Sequence, residues 1–154
     1  ANYLLFRNIG EIEKGRQAYS EAENSFRFDV KPMFISNYTQ DLISKIDFNS
    51  AYKSRRKNYS YLGKKIVEYG IKVSSIPQKT APLCFPVKHY DAQNLIKILA
   101  SRGIFCPTYW PNIILPKNDI KGFDLLNKTV YLPIDQRYGK KEMDYILDNL
   151  LKII

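Results

Sequence analysis

The sequence has no apolar run approaching the roughly 20 residues needed to cross a bilayer. No basic-then-apolar signal peptide opens it. Histidine occurs once, at His89, and cysteine twice, at Cys84 and Cys106. A tetrahedral Cys/His zinc site therefore lacks ligands at usable spacing. Two cysteines in 154 residues make no disulfide framework, which fits a reducing, cytoplasmic setting. A Cys84–His89 nucleophilic pair is disfavoured, because side chains five positions apart on a strand point to opposite faces. Glycine-rich phosphate loops and a Gly-x-Ser-x-Gly elbow are missing, and Gly70 and Gly103 each stand alone at the end of a predicted helix. The residues alone thus offer no self-sufficient catalytic set and no metal or cofactor ligands.

What is present is an ordinary globular composition, 45% hydrophobic and 25% charged, in a chain of one-domain size. Net charge is +9, and its distribution is uneven. Lys53, Arg55, Arg56, Lys57, Lys64, Lys65 and Lys72 face a single acid, Glu68, within twenty residues. On a predicted helix this reads first as a solvated face, and second as a docking surface for an anionic partner. The 12 tyrosines could stack bases, but no RNP-like, zinc-finger or KH-like signature accompanies them. Nucleic acid is therefore not the expected partner.

Periodicity places the elements. Residues 9–24 have helical composition, and an aromatic connector follows. Ser36 can cap a short helix to Ile46 with a Leu42, Ile43, Ile46 stripe. Asp47 can cap a long helix to about Tyr69, with Tyr52, Tyr59, Leu62, Ile66 and Tyr69 inward and Gly70 as the stop. Leu83 to His89 reads as a strand, and Pro86 assigns it to a sheet edge or a bulge. Asp91 caps a helix with Leu95, Ile98 and Leu99 inward, ended by Gly103. A short strand is expected at Ile104-Phe105-Cys106, a short helix near Phe123–Leu126, and a third strand over Lys128–Leu132. The last helix, from about Lys140, carries Met143, Ile146, Leu147, Leu150, Leu151 and Ile154 at three-four spacing. The expected class is α+β: a small three-stranded, mainly antiparallel sheet with helices on one face, plus N-terminal helices.

The order of several blocks resembles a known family. Arg55-Arg56-Lys57-Asn58-Tyr59-Ser60-Tyr61-Leu62 is similar to the helix that opens the small domain of fold-type I, pyridoxal-phosphate-dependent aminotransferases, nearest to DegT-like sugar aminotransferases. Pro82 to Val87 resembles that domain's first strand, and Asp91 to Ile104 its next helix and strand. Thr108-Tyr109-Trp110-Pro111 and Leu132-Pro133-Ile134-Asp135-Gln136-Arg137-Tyr138 resemble two later blocks, and Lys141 to Ile146 the start of its last helix.

The resemblance implies that residues 36–154 are a C-terminal small domain and residues 1–35 a connector and the tail of a missing large domain. The opening at Ala1 reads like the middle of a longer protein. The family's Schiff-base lysine belongs to the large domain, so pyridoxal phosphate is expected in the parent and not in this chain alone. The chain would close over the cofactor cleft and shape the pocket for the amino acceptor, with the large domain as its partner and a homodimeric parent. By that resemblance Arg137 would grip a substrate carboxylate or phosphate as a fork, its bland alternative being an ion pair with Asp135 or a helix end. Trp110 would be a pocket wall, with Tyr109, Asp135 and Gln136 as further substrate contacts. Arg55 and Arg56 are assigned rather to helix packing, interdomain pairing or solvation. The competing reading is a stand-alone basic module that binds an anionic partner through Lys53–Lys72.

Overall fold

The computed structural model describes residues 5–6, 9–25, 34–109 and 113–154. It divides into two compact units, Ala1–Lys45 and Ile46–Ile154. In the first unit, α1 spans Ile12–Asn24 and α2 spans Asn37–Ser44. Ser36 Oγ accepts the Thr39 N–H at 3.1 Å, which satisfies one of the free donors at the start of α2. The expected stripe of α2 is not buried within this unit, since Leu42 and Ile43 both remain exposed.

The second unit carries α3 (Phe48–Val67), β1 (Cys84–Lys88), α4 (Ala92–Ser101), α5 (Ile120–Asn127), β2 (Thr129–Pro133) and α6 (Lys140–Leu151). Aspartates cap three of its helices: Asp47 accepts from Ser50 N at 2.8 Å, Asp91 from Asn94 N at 3.3 Å and Asp119 from Gly122 N at 2.9 Å. At the start of α6 the Glu142 carboxylate accepts the Gly139 N–H at 2.8 Å.

β1 and β2 pair antiparallel, with Phe85 opposite Leu132 and Val87 opposite Val130. Those four side chains are buried on one face. Tyr59, Leu62 and Ile66 of α3, Leu95 and Leu99 of α4, and Met143, Ile146, Leu147 and Leu150 of α6 close the core over them. Tyr59 packs on Phe85 with ring centroids 4.7 Å apart, and its hydroxyl donates to the Ser74 carbonyl at 2.6 Å. This gives a buried aromatic body and a satisfied polar tip. Alternation sends Cys84, Pro86, Thr129, Tyr131 and Pro133 to the opposite face. There Tyr131 donates to the Leu125 carbonyl of α5 at 3.2 Å. Helices α3, α4 and α6 thus cover one face as expected, whereas α5 is met from the other.

Further expectations fail: Ile98 is half-buried outside the core, and Ile154 lies beyond the end of α6 at 47% exposed. Two more concern whole elements. Among the described residues the sheet has two strands, not three, and residues 104–106 join no ladder. The reason is local. Gly103, at φ +75°, ends α4 in a left-handed turn, in which Gly103 N–H bonds the Ala100 carbonyl and Ile104 N–H bonds the Leu99 carbonyl. Ile104 is buried, but its donor is already committed to the helix end. The second failure is on α3, where Tyr69 is 58% exposed rather than inward. The helix proper stops at Val67, and the chain turns through Gly70 at φ +76° before Tyr69 can reach the core. Tyr52 is half-buried, with the Arg56 guanidinium 5.6 Å from its ring centre.

Candidate functional site

The chemistry-bearing residues of the second unit gather where α3 meets the loop after β2. Besides Tyr59, three side chains of α3 reach out to main-chain oxygens. Arg55 Nη1 donates to the Pro82 and Leu83 carbonyls at 3.3 and 3.2 Å, and its Nε donates to Gln136 Oε1 at 2.9 Å. Arg56 Nη1 donates to the Pro77 and Thr80 carbonyls at 3.0 and 2.9 Å. Asn58 is 3% exposed, and its Nδ2 serves the carbonyls of Ile134, Asp135 and Tyr138 at 3.3, 3.1 and 3.0 Å. Both arginines therefore act as clasps for the loops entering β1, and Asn58 is the clasp for the loop leaving β2. No periodicity flagged Asn58 as more than a block residue. A polar residue directly before Tyr59, the first of three inward apolar residues at helical spacing, was the available signal.

Within the clasped loop, Asp135 and Arg137 form a forked ion pair, with Nε to Oδ1 at 3.0 Å and Nη2 to Oδ2 at 2.7 Å. The Arg137 N–H also donates to Asp135 Oδ1 at 2.9 Å. The Arg137 side chain is bonded to Asp135 and holds that carboxyl below the ordinary aspartate range, opposed by partial burial. The fork expected for a substrate anion thus faces Asp135, although Arg137 itself stays 73% exposed at its side chain.

Tyr109 lies against the outer face of the ladder, its ring 5.0 Å from that of Tyr131 and edge-on to it. Its hydroxyl is hydrogen-bonded to the Cys84 thiol. Burial, and then the neighbouring thiol, push the Tyr109 phenol up to about 12. Burial likewise raises the Cys84 thiol, against the pull of Tyr109 and the nearby Arg55 charge. Both groups are thus neutral near pH 7. Arg55 is the common neighbour: it bonds Gln136 and acts electrostatically on Cys84, Tyr109 and Asp135. Four of the five residues expected to contact substrate, Tyr109, Asp135, Gln136 and Arg137, therefore lie around one guanidinium or beside its loop. The fifth, Trp110, lies outside the described residues.

Metal and cofactor chemistry can be tested against this donor set. Among the described residues no group of three or more His, Cys, Asp or Glu could hold a metal ion. His89 Nδ1 is occupied as an acceptor for the Asp91 N–H at 3.2 Å. A pyridoxal phosphate site needs a lysine in a desolvated pocket and an acid at the pyridine nitrogen. Every described lysine is exposed, so the residues present do not fit that group. No helix among the described residues is long and apolar enough to cross a membrane.

No protein-family model matches the sequence, and no curated protein matches it. Solved structures do. A DegT DnrJ EryC1 StrS aminotransferase from Brucella abortus matches 84% of this chain at TM-score 0.59 and 12% identity. A sugar aminotransferase from Micromonospora echinospora matches 68% at TM-score 0.54 and 14% identity. A protein from Streptococcus pneumoniae described as a putative sugar aminotransferase, in its apo form, matches 73% at TM-score 0.58 and 15% identity. The chain spans only 39%, 31% and 33% of these three proteins respectively. At such identities the likeness is one of fold: the chain folds as part of a sugar-aminotransferase-like structure.

Proposed function

We propose that this chain is the C-terminal small domain of a pyridoxal-phosphate-dependent sugar aminotransferase, which closes over a cofactor cleft contributed by a large domain of the same polypeptide. The observation that carries the reading is the mismatch of coverage. Most of this chain, but only about a third of each relative, takes part in the match. In this reading residues 36–154 form the small domain, and Tyr109, Trp110, Asp135, Gln136 and Arg137 shape the wall that the amino acceptor meets. Closure of such a wall excludes water and completes substrate contacts. The parent is a cytoplasmic homodimer, and the isolated chain is inactive.

The test is to incubate the full gene product containing these residues with pyridoxal phosphate, reduce with borohydride and map the modified lysine by mass spectrometry. One stoichiometric adduct outside residues 1–154 is expected. A product that forms no adduct, or forms its stoichiometric adduct on a lysine within residues 1–154, removes the assignment.

A second reading has one observation in its favour. Lys53, Lys57, Lys64 and Lys65 lie exposed on α3, and none forms an ion pair among the described residues. A basic module for an anionic partner would show polyanion binding that weakens steeply with salt. Binding that is absent or indifferent to salt leaves the first reading alone. Arg56, committed to the Pro77 and Thr80 carbonyls, contributes little to such a surface.

A further inference from the structure

A guanidinium carries five N–H donors and no acceptor. Arg55 commits Nε and Nη1 to three neutral oxygens, and among the described residues neither a carboxylate ion pair nor any acceptor on Nη2 accompanies them. Because the guanidinium only donates, the Gln136 amide must turn its oxygen toward it, so the two N–H groups of Nε2 point elsewhere. Those groups also find no acceptor among the described residues. The neighbouring acid, Asp135, is held by the Arg137 fork. Two guanidinium groups against one carboxylate leave one formal positive charge here.

From this we infer that Arg55 and Gln136 form an oxyanion-binding edge that takes one phosphate or carboxylate group of a ligand between Nη2 and Nε2. The edge is built before any ligand arrives. Asn58 fixes the backbone of the loop that carries Gln136, and the Pro82 and Leu83 carbonyls fix the guanidinium plane. Ligand binding therefore orders little that is not already ordered. Hydrogen bonds from a charged donor to an anion are about twice as strong as neutral ones, and here the charge lacks a carboxylate of its own. Arg55 would be the anchor of this site, and Arg137 would stay with Asp135. The inference needs no cofactor, so it stands or falls apart from the aminotransferase reading.

The test is a side-chain amide and guanidinium NMR titration of the 15N-labelled chain. One arm uses inorganic phosphate and the other acetate, both at fixed ionic strength. Saturable shifts of the Gln136 Nε2 and Arg55 Nε signals are expected, and the anion that saturates at lower concentration identifies the ligand group. Gln136→Glu supplies a carboxylate to the same guanidinium at an exposed position. It should keep the fold and weaken binding at least about tenfold. The double variant K57Q/K64Q, which only thins the general basic surface, should bind within about twofold of the native chain. Shifts that stay linear with both anions overturn the inference. So does a Gln136→Glu variant that binds as the native chain does, or a K57Q/K64Q variant that loses binding equally.

Discussion

Replacing Asn58 by alanine should be the most costly single polar truncation in the second unit. Its Nδ2 offers two hydrogens to three carbonyls, at 3.0, 3.1 and 3.3 Å, from a side chain 3% exposed. Each hydrogen bond contributes about 1 kcal/mol net, and a buried carbonyl left without a partner costs about 1–3 kcal/mol. Two lost hydrogens and at least one orphaned acceptor give about 3 kcal/mol. With a urea m-value of about 2 kcal/mol/M, the unfolding midpoint falls by about 1.5 M while the slope stays unchanged. Asn58→Asp keeps the shape but sets a carboxylate against three carbonyl oxygens, so at neutral pH it should cost more than alanine. Its folded carboxyl would have a raised pKa. The excess penalty is therefore present above that value and relieved below it, as the protonated acid regains one donor. Circular dichroism in urea at neutral pH and near pH 4 measures both effects. A midpoint shift under about 0.3 M for Asn58→Ala, or an aspartate variant no worse than alanine at neutral pH, would refute the view that this amide holds the loop.

Three further outcomes are expected. Gly103→Ala places a Cβ on a backbone at φ +75° with open space around it, so its cost is the left-handed strain alone, about 1 kcal/mol, read from thermal or urea unfolding. Burial pushes the Cys106 thiol up to about 12, so its alkylation by iodoacetamide at pH 8 should run more than about tenfold slower than that of free cysteine. Peptide mapping that finds Cys106 modified at the free-thiol rate would contradict its burial. Asp135 is held low mainly by Arg137, so its contribution is present above the unfolded aspartate pKa and lost as pH falls through the lower folded value. The pair is partly solvated, so Asp135→Asn should cost less than about 1 kcal/mol at pH 7 and less again at pH 2, as urea midpoints at the two pH values will show.

Local physics was legible in the sequence, and long-range polar contacts were not. Ser36, Asp47 and Asp91 all cap the helices assigned to them, because a short acceptor ahead of a periodic run satisfies backbone donors within its own turn. Leu62, Ile66, Leu95, Leu99, Met143, Ile146, Leu147 and Leu150 are inward as their spacing predicts. Residues 104–106 looked like a strand because burial and β-rich composition were visible, whereas the use of the Ile104 N–H by Leu99 was not. The roles of Arg55 and Arg56 depend on oxygens 21 to 81 residues away, which no spacing rule reaches. Around the candidate site, the block from Leu132 to Tyr138 singled out the loop that Asn58 clasps. Its pairing of Arg137 with Asp135 was the bland alternative in the sequence, and the organising role of Arg55 emerges only from three dimensions.

The clasps of α3 have a consequence for sequence drift. Arg55, Arg56 and Asn58 mostly grasp peptide oxygens, and every amino acid carries one. The loops they hold can thus exchange most side chains without loosening the grip, provided the chain keeps its path. The grasping residues have no such freedom, since lysine lacks the planar fork and aspartate lacks the donors. A scaffold fastened in this way can change the chemistry of its rim while its frame stays fixed.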